Sequence, residues 1–164
     1  MVSLAVEDLQ GVKPSDLEMT TAGVSYTTET LDRVASLGVP GDSTFFILGG
    51  DAFLDIPAWK GYPAILDRCH FVAVSRPDFA VTALPTLLPE LASRIVREST
   101  IVPARMSIFL VDAATSAVSS TQVRQAILDR KPLDGLVPRA AADYIVNHGL
   151  YAATPANSYS QGRA

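Results

Sequence analysis

Three apolar runs without charge recur along the chain, and they predict strands. They cover residues 45–48, 70–75 and 106–111, and stretches with helical periodicity lie between them. An uncharged run of this kind is typical of a strand buried on both faces, as in a parallel sheet. Strands that alternate with helices favour an α/β fold. The pattern therefore predicts an open, mostly parallel sheet flanked by helices.

Two helix starts carry capping patterns. In residues 23–31, GVSYTTETL, Thr27 is the predicted N-cap, and Tyr26 and Leu31 take the positions of a hydrophobic staple. In residues 118–124, VSSTQVR, Ser119 and Gln122 form a predicted capping box. We further predict helices over residues 1–9, 62–68, 90–98 and 138–149, a short strand at 16–19 and a proline-rich link at 84–89.

The run at 45–48 opens the stretch FFILGGDAFLDIPAWK, in which candidate chemistry follows a strand directly. Gly49 and Gly50 end the run, and Asp51 comes next. Ligands of open α/β sheets bind beyond the carboxyl ends of the strands. Glycine lets the backbone approach a ligand there, and a carboxylate suits sugar hydroxyls or a metal. Trp59, the only tryptophan of the chain, is either a core anchor or a ring-stacking surface.

The second candidate is the helix start after Val118. Ser119, Ser120 and Thr121 lie at its positive end, and Arg124 follows one turn later. Free backbone N–H groups, hydroxyl donors and a guanidinium together can hold a phosphate group. An ordinary capped helix with a surface arginine explains the same residues, so the pattern leaves both interpretations open.

Composition narrows the class of protein. At 164 residues, 48% hydrophobic and 18% charged, the chain predicts one globular domain over residues 1–151 and a loose polar tail over 152–164. No apolar run approaches the ~20 residues of a membrane span, and a net charge of −4 argues against broad nucleic-acid binding.

The single cysteine, Cys69, excludes an internal disulfide and fits the cytoplasm. His70 and His148 have no partner at metal-ligand spacing, so we expect structural roles and no metal site.

Four pieces of the chain, taken in order, resemble one family. They are GVSYTTETL, FFILGGDAFLDIPAWK, the strand that ends in Ser75-Arg76-Pro77, and VSSTQVR with the later helix ending HGLY. Together they are similar to the bacterial nicotinate mononucleotide adenylyltransferases, of the nucleotidyltransferase superfamily. The resemblance runs from about Met1 to Tyr151, and it implies a Rossmann-like sheet.

The resemblance also implies site residues. Ser25, Tyr26 and Thr27 match a turn that recognises the nicotinate carboxylate, and Trp59 matches the tryptophan that stacks on the pyridine ring. Gly49 and Asp51 match the nucleotide-facing strand end, with Asp51 near the ribose hydroxyls. Arg76 matches a basic residue on the mononucleotide side. The residues that match the motif holding the ATP phosphates are Ser119, Ser120, Thr121 and Arg124.

The implied reaction is adenylyl transfer. The 5′-phosphate of nicotinate mononucleotide attacks the α-phosphorus of ATP, deamido-NAD forms in NAD biosynthesis, and pyrophosphate leaves. Mg2+ accompanies ATP as its counter-ion, and Arg124 is the residue expected to stabilise charge in the transition state. The partners implied are ATP and nicotinate mononucleotide, with neither nucleic acid nor membrane, and whether the chain forms a homo-oligomer stays open.

One departure from the family is plain. Family members carry a glycine-rich turn and an H-x-G-H pattern whose histidines face the triphosphate, and neither His70 nor His148 lies in such a pattern. The helix predicted at residues 1–9 has no entry signal, so we expect the sequence to begin inside the family's domain, to lack its first strands, and to be inactive alone. Two alternatives stay open: a nucleotide-binding or interaction remnant without catalysis, and an adenylyltransferase for another mononucleotide or phosphopantetheine. The choice between nicotinate and nicotinamide also stays open.

Overall fold

Three of the strands form where the uncharged apolar runs predict them. The computed structural model describes residues 1–19, 23–96 and 102–152. Its strands are β1 (Phe45–Gly49), β2 (His70–Val74), β3 (Ile95–Val96) and β4 (Ile108–Val111). Within the described residues they form one sheet in the order β1-β2-β4-β3, and every pair is parallel. The predicted α/β fold with a parallel sheet is confirmed.

Helices connect and flank these strands. They are α1 (Val2–Ala5), α2 (Thr27–Ser36), α3 (Gly50–Leu54), α4 (Leu84–Leu87), α5 (Ser120–Leu128) and α6 (Arg139–Asn147). Short 3₁₀ turns occupy Gly41–Ser43, Ile56–Ala58, Ala64–Asp67, Val81–Ala83 and Pro89–Arg94. No helix in residues 1–19, 23–96 and 102–152 is long and apolar enough to cross a lipid bilayer.

The chain divides into two compact units, each with its own core. The sheet unit, Asp16–Ala117, holds the four strands. Its largest fully buried side chains include Phe53, Phe71, Ile56, Ile65, Leu84 and Ile108. The helical unit joins Met1–Ser15 to the chain from Val118 onward, and its core consists of Val123, Ala126, Leu133 and Ile145. The single domain expected over residues 1–151 stays a prediction, and the predicted tail lies, apart from Ala152, outside the described residues.

The strand register brings three strand ends to one edge of the sheet. Gly49 at the end of β1 pairs with Val74 of β2, and Val74 pairs with Val111 of β4. Because the strands are parallel, the residues that follow them emerge on the same side. Candidate binding residues of an open α/β sheet lie at this carboxyl edge, so the fold itself gathers the segments after β1, β2 and β4.

Several local predictions were wrong. Residues 16–19 form a turn and no strand, with Met19 84% exposed and thus without a sheet to pack on. The expected link at 84–89 contains α4, because proline is tolerated in a first helical turn. The helix expected at 90–98 is a 3₁₀ turn followed by β3, with residues 97 and 98 outside the described part. The helices expected at 1–9 and 62–68 are shorter, as α1 and the turn Ala64–Asp67.

Candidate functional site

The carboxyl edge of the sheet holds two side chains of the predicted site next to one glycine. A β-carbon on Gly49 would collide with Asp51 Oδ1 and would lie 3.2 Å from Arg76 Cγ. The carboxylate of Asp51 and the stem of Arg76 therefore flank the same strand end. Both residues are exposed. The structure thus brings together Gly49, Asp51 and Arg76, which lie up to 27 positions apart in the sequence.

Arg76 is held in place by the turn that follows β2. Its backbone N–H donates to the carbonyl of Phe79 at 2.9 Å, and the N–H of Phe79 donates back to the carbonyl of Arg76 at 2.9 Å. Next to it, the buried Ser75 hydroxyl donates to Asp112 Oδ1 at 2.7 Å, which ties the end of β2 to the end of β4. The arginine therefore projects from a closed turn on an ordered strand end.

Trp59 and the start of α2 share one cavity, which we call the tryptophan cavity. It has a volume of about 290 Å³. Its lining residues are Ser25, Tyr26, Thr27, Ala58, Trp59 and Lys60. All three residues of the predicted carboxylate-binding turn thus line one cavity with the predicted ring-stacking residue, although more than 30 positions of sequence separate the two segments.

Trp59 packs on the core of the sheet unit and also lines the tryptophan cavity. The side chain is half-buried and packs against the core of the sheet unit. The rings of Phe46 and Trp59 meet edge to face, with centroids 6.1 Å apart and an interplanar angle of 86°. Aromatic pairs favour this geometry. The indole is therefore packed against the core through Phe46, while Trp59 also lines the tryptophan cavity.

The beginning of α2 differs from the prediction by one residue. Tyr26 is the N-cap, with extended backbone (φ −106°, ψ 138°), and Thr27 is the first helical residue. The helix starts earlier because the carbonyl of Tyr26 already accepts the N–H groups of Glu29 and Thr30, at 2.9 and 3.1 Å. Thr27 was expected to cap α2 and does not, since no side chain caps this helix.

Lys60 and Gly61, which the sequence reasoning missed, bring the segment after Trp59 close to α2. Lys60 Nζ lies 2.8 Å from Glu29 Oε1 and 4.1 Å from the centroid of the Tyr26 ring. The hydrogen bond to Glu29 raises the pKa of Lys60, so its ammonium stays protonated. Gly61 has a φ of +88°, and a β-carbon there would lie 2.6 Å from Thr28 Cγ2. The only sequence signal for these contacts is that Lys60 and Gly61 directly follow Trp59.

In the helical unit, the predicted capping box of α5 is confirmed. Ser119 Oγ accepts the N–H of Gln122 at 3.2 Å, and Gln122 Oε1 accepts the N–H of Ser119 at 2.7 Å. These two bonds satisfy two backbone donors. The N–H groups of Ser120 and Thr121 have no partner inside a helix, because the first-turn donors precede the helical hydrogen-bond ladder. They remain free to meet an anion.

A second cavity, the arginine cavity, lies beside this helix start within the helical unit. Its volume is about 290 Å³. Ser119, Ser120 and Arg124 contribute polar groups to it, and Thr121 does not line it. The other lining residues are Met1, Val118, Val123, Leu136, Val137, Ile145 and Tyr151. The Arg124 guanidinium lies 5.7 Å from the centroid of the Tyr151 ring. The cavity therefore combines a mostly apolar lining with one cation and two serine hydroxyls.

The two histidines lie in different surroundings, since His70 is buried and His148 is exposed. His70 starts β2, at the end of the strand opposite Arg76; it is fully buried and its Nδ1 accepts the N–H of Ser107 at 3.0 Å. His148 stacks on Tyr144, with ring centroids 3.9 Å apart. Within residues 1–19, 23–96 and 102–152, no group of three or more His, Cys, Asp and Glu side chains is placed to hold a metal ion.

Comparisons with known proteins agree on one family. A family model described as cytidylyltransferase-like matches residues 1–126. The probable nicotinate-nucleotide adenylyltransferase of Moorella thermoacetica is 32% identical over 162 residues, which span 99% of this chain and 70% of the relative. The protein of the same name from a Geobacter species is 34% identical over 159 residues, which span 92% and 72%.

Solved structures show the same fold. The nicotinic acid mononucleotide adenylyltransferase of Plasmodium falciparum, complexed with APC, superposes with a TM-score of 0.54 at 16% identity, over 79% of this chain and 60% of that one. Its complex with NaAD gives a TM-score of 0.56 at 17% identity, over 79% and 58%. This chain thus spans about three fifths of those structures, and the likeness to them concerns the fold.

Proposed function

Because this chain belongs to the nicotinate mononucleotide adenylyltransferase family of cytidylyltransferase-like nucleotidyltransferases, we propose that it binds nicotinate mononucleotide and ATP for adenylyl transfer. The products are deamido-NAD and pyrophosphate. The observation that carries the proposal is the tryptophan cavity, where Ser25, Tyr26 and Thr27 meet Trp59. A flat ring that bears a carboxylate matches this combination of an indole face and polar groups at a helix start.

On the mononucleotide side, each group has a task that its position supports. The Trp59 ring stacks on the pyridine ring, and the turn at Ser25 to Thr27 donates to the carboxylate. A helix start favours an anion because its first N–H groups point outward. At the strand end, Asp51 accepts hydrogen bonds from the ribose hydroxyls, and the neighbouring Arg76 pairs with the 5′-phosphate.

On the ATP side, the start of α5 supplies the phosphate contacts. The N–H groups and hydroxyls of Ser119, Ser120 and Thr121 donate to phosphate oxygens, and the Arg124 guanidinium neutralises their charge. The apolar lining of the arginine cavity suits a ring or sugar face next to those phosphates. Mg2+ enters with ATP, bound to the phosphate oxygens.

The reaction demands positioning more than covalent chemistry from the protein. An oxygen of the 5′-phosphate of nicotinate mononucleotide attacks the α-phosphorus of ATP, and the bond from that phosphorus to the bridging oxygen of pyrophosphate breaks. Holding two reactants in line removes most of the entropic barrier. Arg124 counters charge that develops on the phosphoryl oxygens, where preorganised donors contribute most.

A second candidate function is nucleotide binding without transfer. The observation that favours it is that none of the 164 residues forms the H-x-G-H pattern that the family resemblance assigns to the triphosphate. His70 is enclosed by packing, and His148 stacks on a tyrosine of its own helix. Neither histidine lies in a pattern of that kind.

Two measurements on the 164-residue chain separate the candidates. Calorimetric titration with each nucleotide is expected to show binding of nicotinate mononucleotide and of ATP with Mg2+. Chromatographic assay of a mixture of both then separates the candidates, because deamido-NAD would support adenylyl transfer and binding of both nucleotides without deamido-NAD would support the second candidate. Turnover would establish transfer by these residues alone and exclude the second candidate. Failure of both nucleotides to bind would contradict the proposed function.

A further inference from the structure

Lys60 places a positive charge in the wall of the tryptophan cavity. Among the described residues that line this cavity, Lys60 is the single charged one; the others are Ser25, Tyr26, Thr27, Ala58 and Trp59. Its side chain lines the cavity and is 54% exposed. A ligand whose ring lies on Trp59 in this cavity would have a cation in the same lining, because Trp59 and Lys60 both line it.

Two contacts from α2 fix the ammonium at this place. The face of the Tyr26 ring lies 4.1 Å from Nζ, and Glu29 Oε1 lies 2.8 Å from it. A cation over an aromatic face and beside a carboxylate has fewer rotamers than a free lysine, which normally moves freely in solvent. Tyr26 and Glu29 therefore orient Lys60 before a ligand arrives, and such preorganisation lowers the entropic cost of binding.

Resting on the proposed function, we propose that Lys60 selects the acid over the amide: it is a specificity-determining residue that favours nicotinate mononucleotide over nicotinamide mononucleotide. The two ligands share a pyridine ring, a ribose and a 5′-phosphate, and they differ in a carboxylate against a neutral carboxamide. Backbone N–H groups donate to either ring substituent. A fixed ammonium attracts only the carboxylate by charge, so the difference in affinity between the two ligands depends on it.

Glu29 sets the strength of this selection. Its carboxylate competes with the ligand's carboxylate for the same ammonium and repels it. The side chain of Glu29 is 39% exposed, and solvent screens a pair of this kind. Removing the charge of Glu29 while keeping its hydrogen-bonding oxygen is therefore expected to leave Lys60 in place and to increase its attraction for an acid.

The test compares dissociation constants for the two mononucleotides in the 164-residue chain, measured by calorimetry. Lys60→Met keeps the alkyl stem and removes the charge, so the preference for the acid is expected to fall about three- to tenfold. Lys60→Arg keeps the charge and is expected to retain the preference. Glu29→Gln is expected to tighten binding of the acid by about two- to fivefold and to leave binding of the amide unchanged.

The outcomes distinguish this inference from the proposed function. If Lys60→Met weakens binding of both ligands equally, or of neither, Lys60 does not distinguish the acid from the amide. The proposed selection is then overturned, while the proposed function stands. If the acid does not bind the unaltered chain, both are overturned. Added salt supplies a further check, because screening is expected to reduce the preference in the unaltered chain and to leave Lys60→Met unaffected.

Discussion

Two glycines decide the geometry around the candidate site at the scale of single residues. A β-carbon on Gly50 would lie 2.8 Å from both Phe79 Cδ1 and Val81 Cγ1, so only glycine lets α3 pack on the segment after Arg76. Gly61 has positive φ and touches Thr28, so a side chain there would push the Trp59 loop away from α2. Each glycine therefore maintains a close approach between segments distant in sequence.

Cys69 gives a prediction at the same scale. It is fully buried, and burial raises the pKa of its thiol to about 11. In the unfolded chain the thiol ionises near pH 8.5, so above that pH the unfolded state holds fewer protons than the native state. The buried, protonated thiol therefore contributes fully to the stability of the native state below the pKa of the unfolded chain. This contribution is lost as the pH rises towards the native-state pKa of about 11.

The measurement is the urea midpoint of the chain and of Cys69→Ala between pH 7 and about pH 11. Tyrosines and lysines titrate in both proteins, so the difference between the two curves isolates the thiol. The difference between the two urea midpoints is expected to stay constant up to about pH 8.5. Above that pH, the midpoint of the unaltered chain is expected to fall relative to that of Cys69→Ala. Parallel curves up to pH 11 would show that the thiol is not protected.

At the scale of elements, capping and apolar patterns were reliable where the signal was local. The capping box of α5 depends on residues three positions apart, and strands β1, β2 and β4 depend on contiguous apolar runs. Strand β3 has only two residues, Ile95–Val96, and it exists because Ile108 and Phe109 pair with them. A partner more than ten positions away leaves no local pattern, so this strand could not be predicted.

The capping box gives a quantitative prediction. Ser119→Ala removes the acceptor for the N–H of Gln122 and is expected to cost about 1 kcal/mol of unfolding free energy. Gln122→Ala is expected to lower the free energy of unfolding less in the Ser119→Ala protein than in the unaltered chain, because the two hydrogen bonds support each other. Urea denaturation measures both. Ser120→Ala is the matched control, expected to stay within about 0.5 kcal/mol, and equal losses at positions 119 and 120 would contradict the capping role.

At the scale of the whole molecule, the cavities arise from contacts over long sequence separations. Periodicity and glycine positions were enough to predict a parallel sheet whose carboxyl edge carries Gly49 and Asp51. They were not enough to predict that Trp59 lies near the start of α2, and that proximity followed only from the family resemblance. The contact of Lys60 with Glu29 spans 31 positions and follows from neither source, because a surface ion pair leaves no pattern in one sequence.

Calorimetric titration of the unaltered chain and of Trp59→Ala tests whether the tryptophan cavity binds the pyridine ring of nicotinate mononucleotide. Loss of the stacked indole is expected to weaken binding by about 1–3 kcal/mol, while Trp59→Phe keeps a ring and most of the affinity. ATP is the control ligand, because its proposed contacts lie in the helical unit, and its dissociation constant is expected to stay the same. An unchanged dissociation constant for nicotinate mononucleotide in a folded Trp59→Ala protein would contradict the claim and assign Trp59 to the core alone.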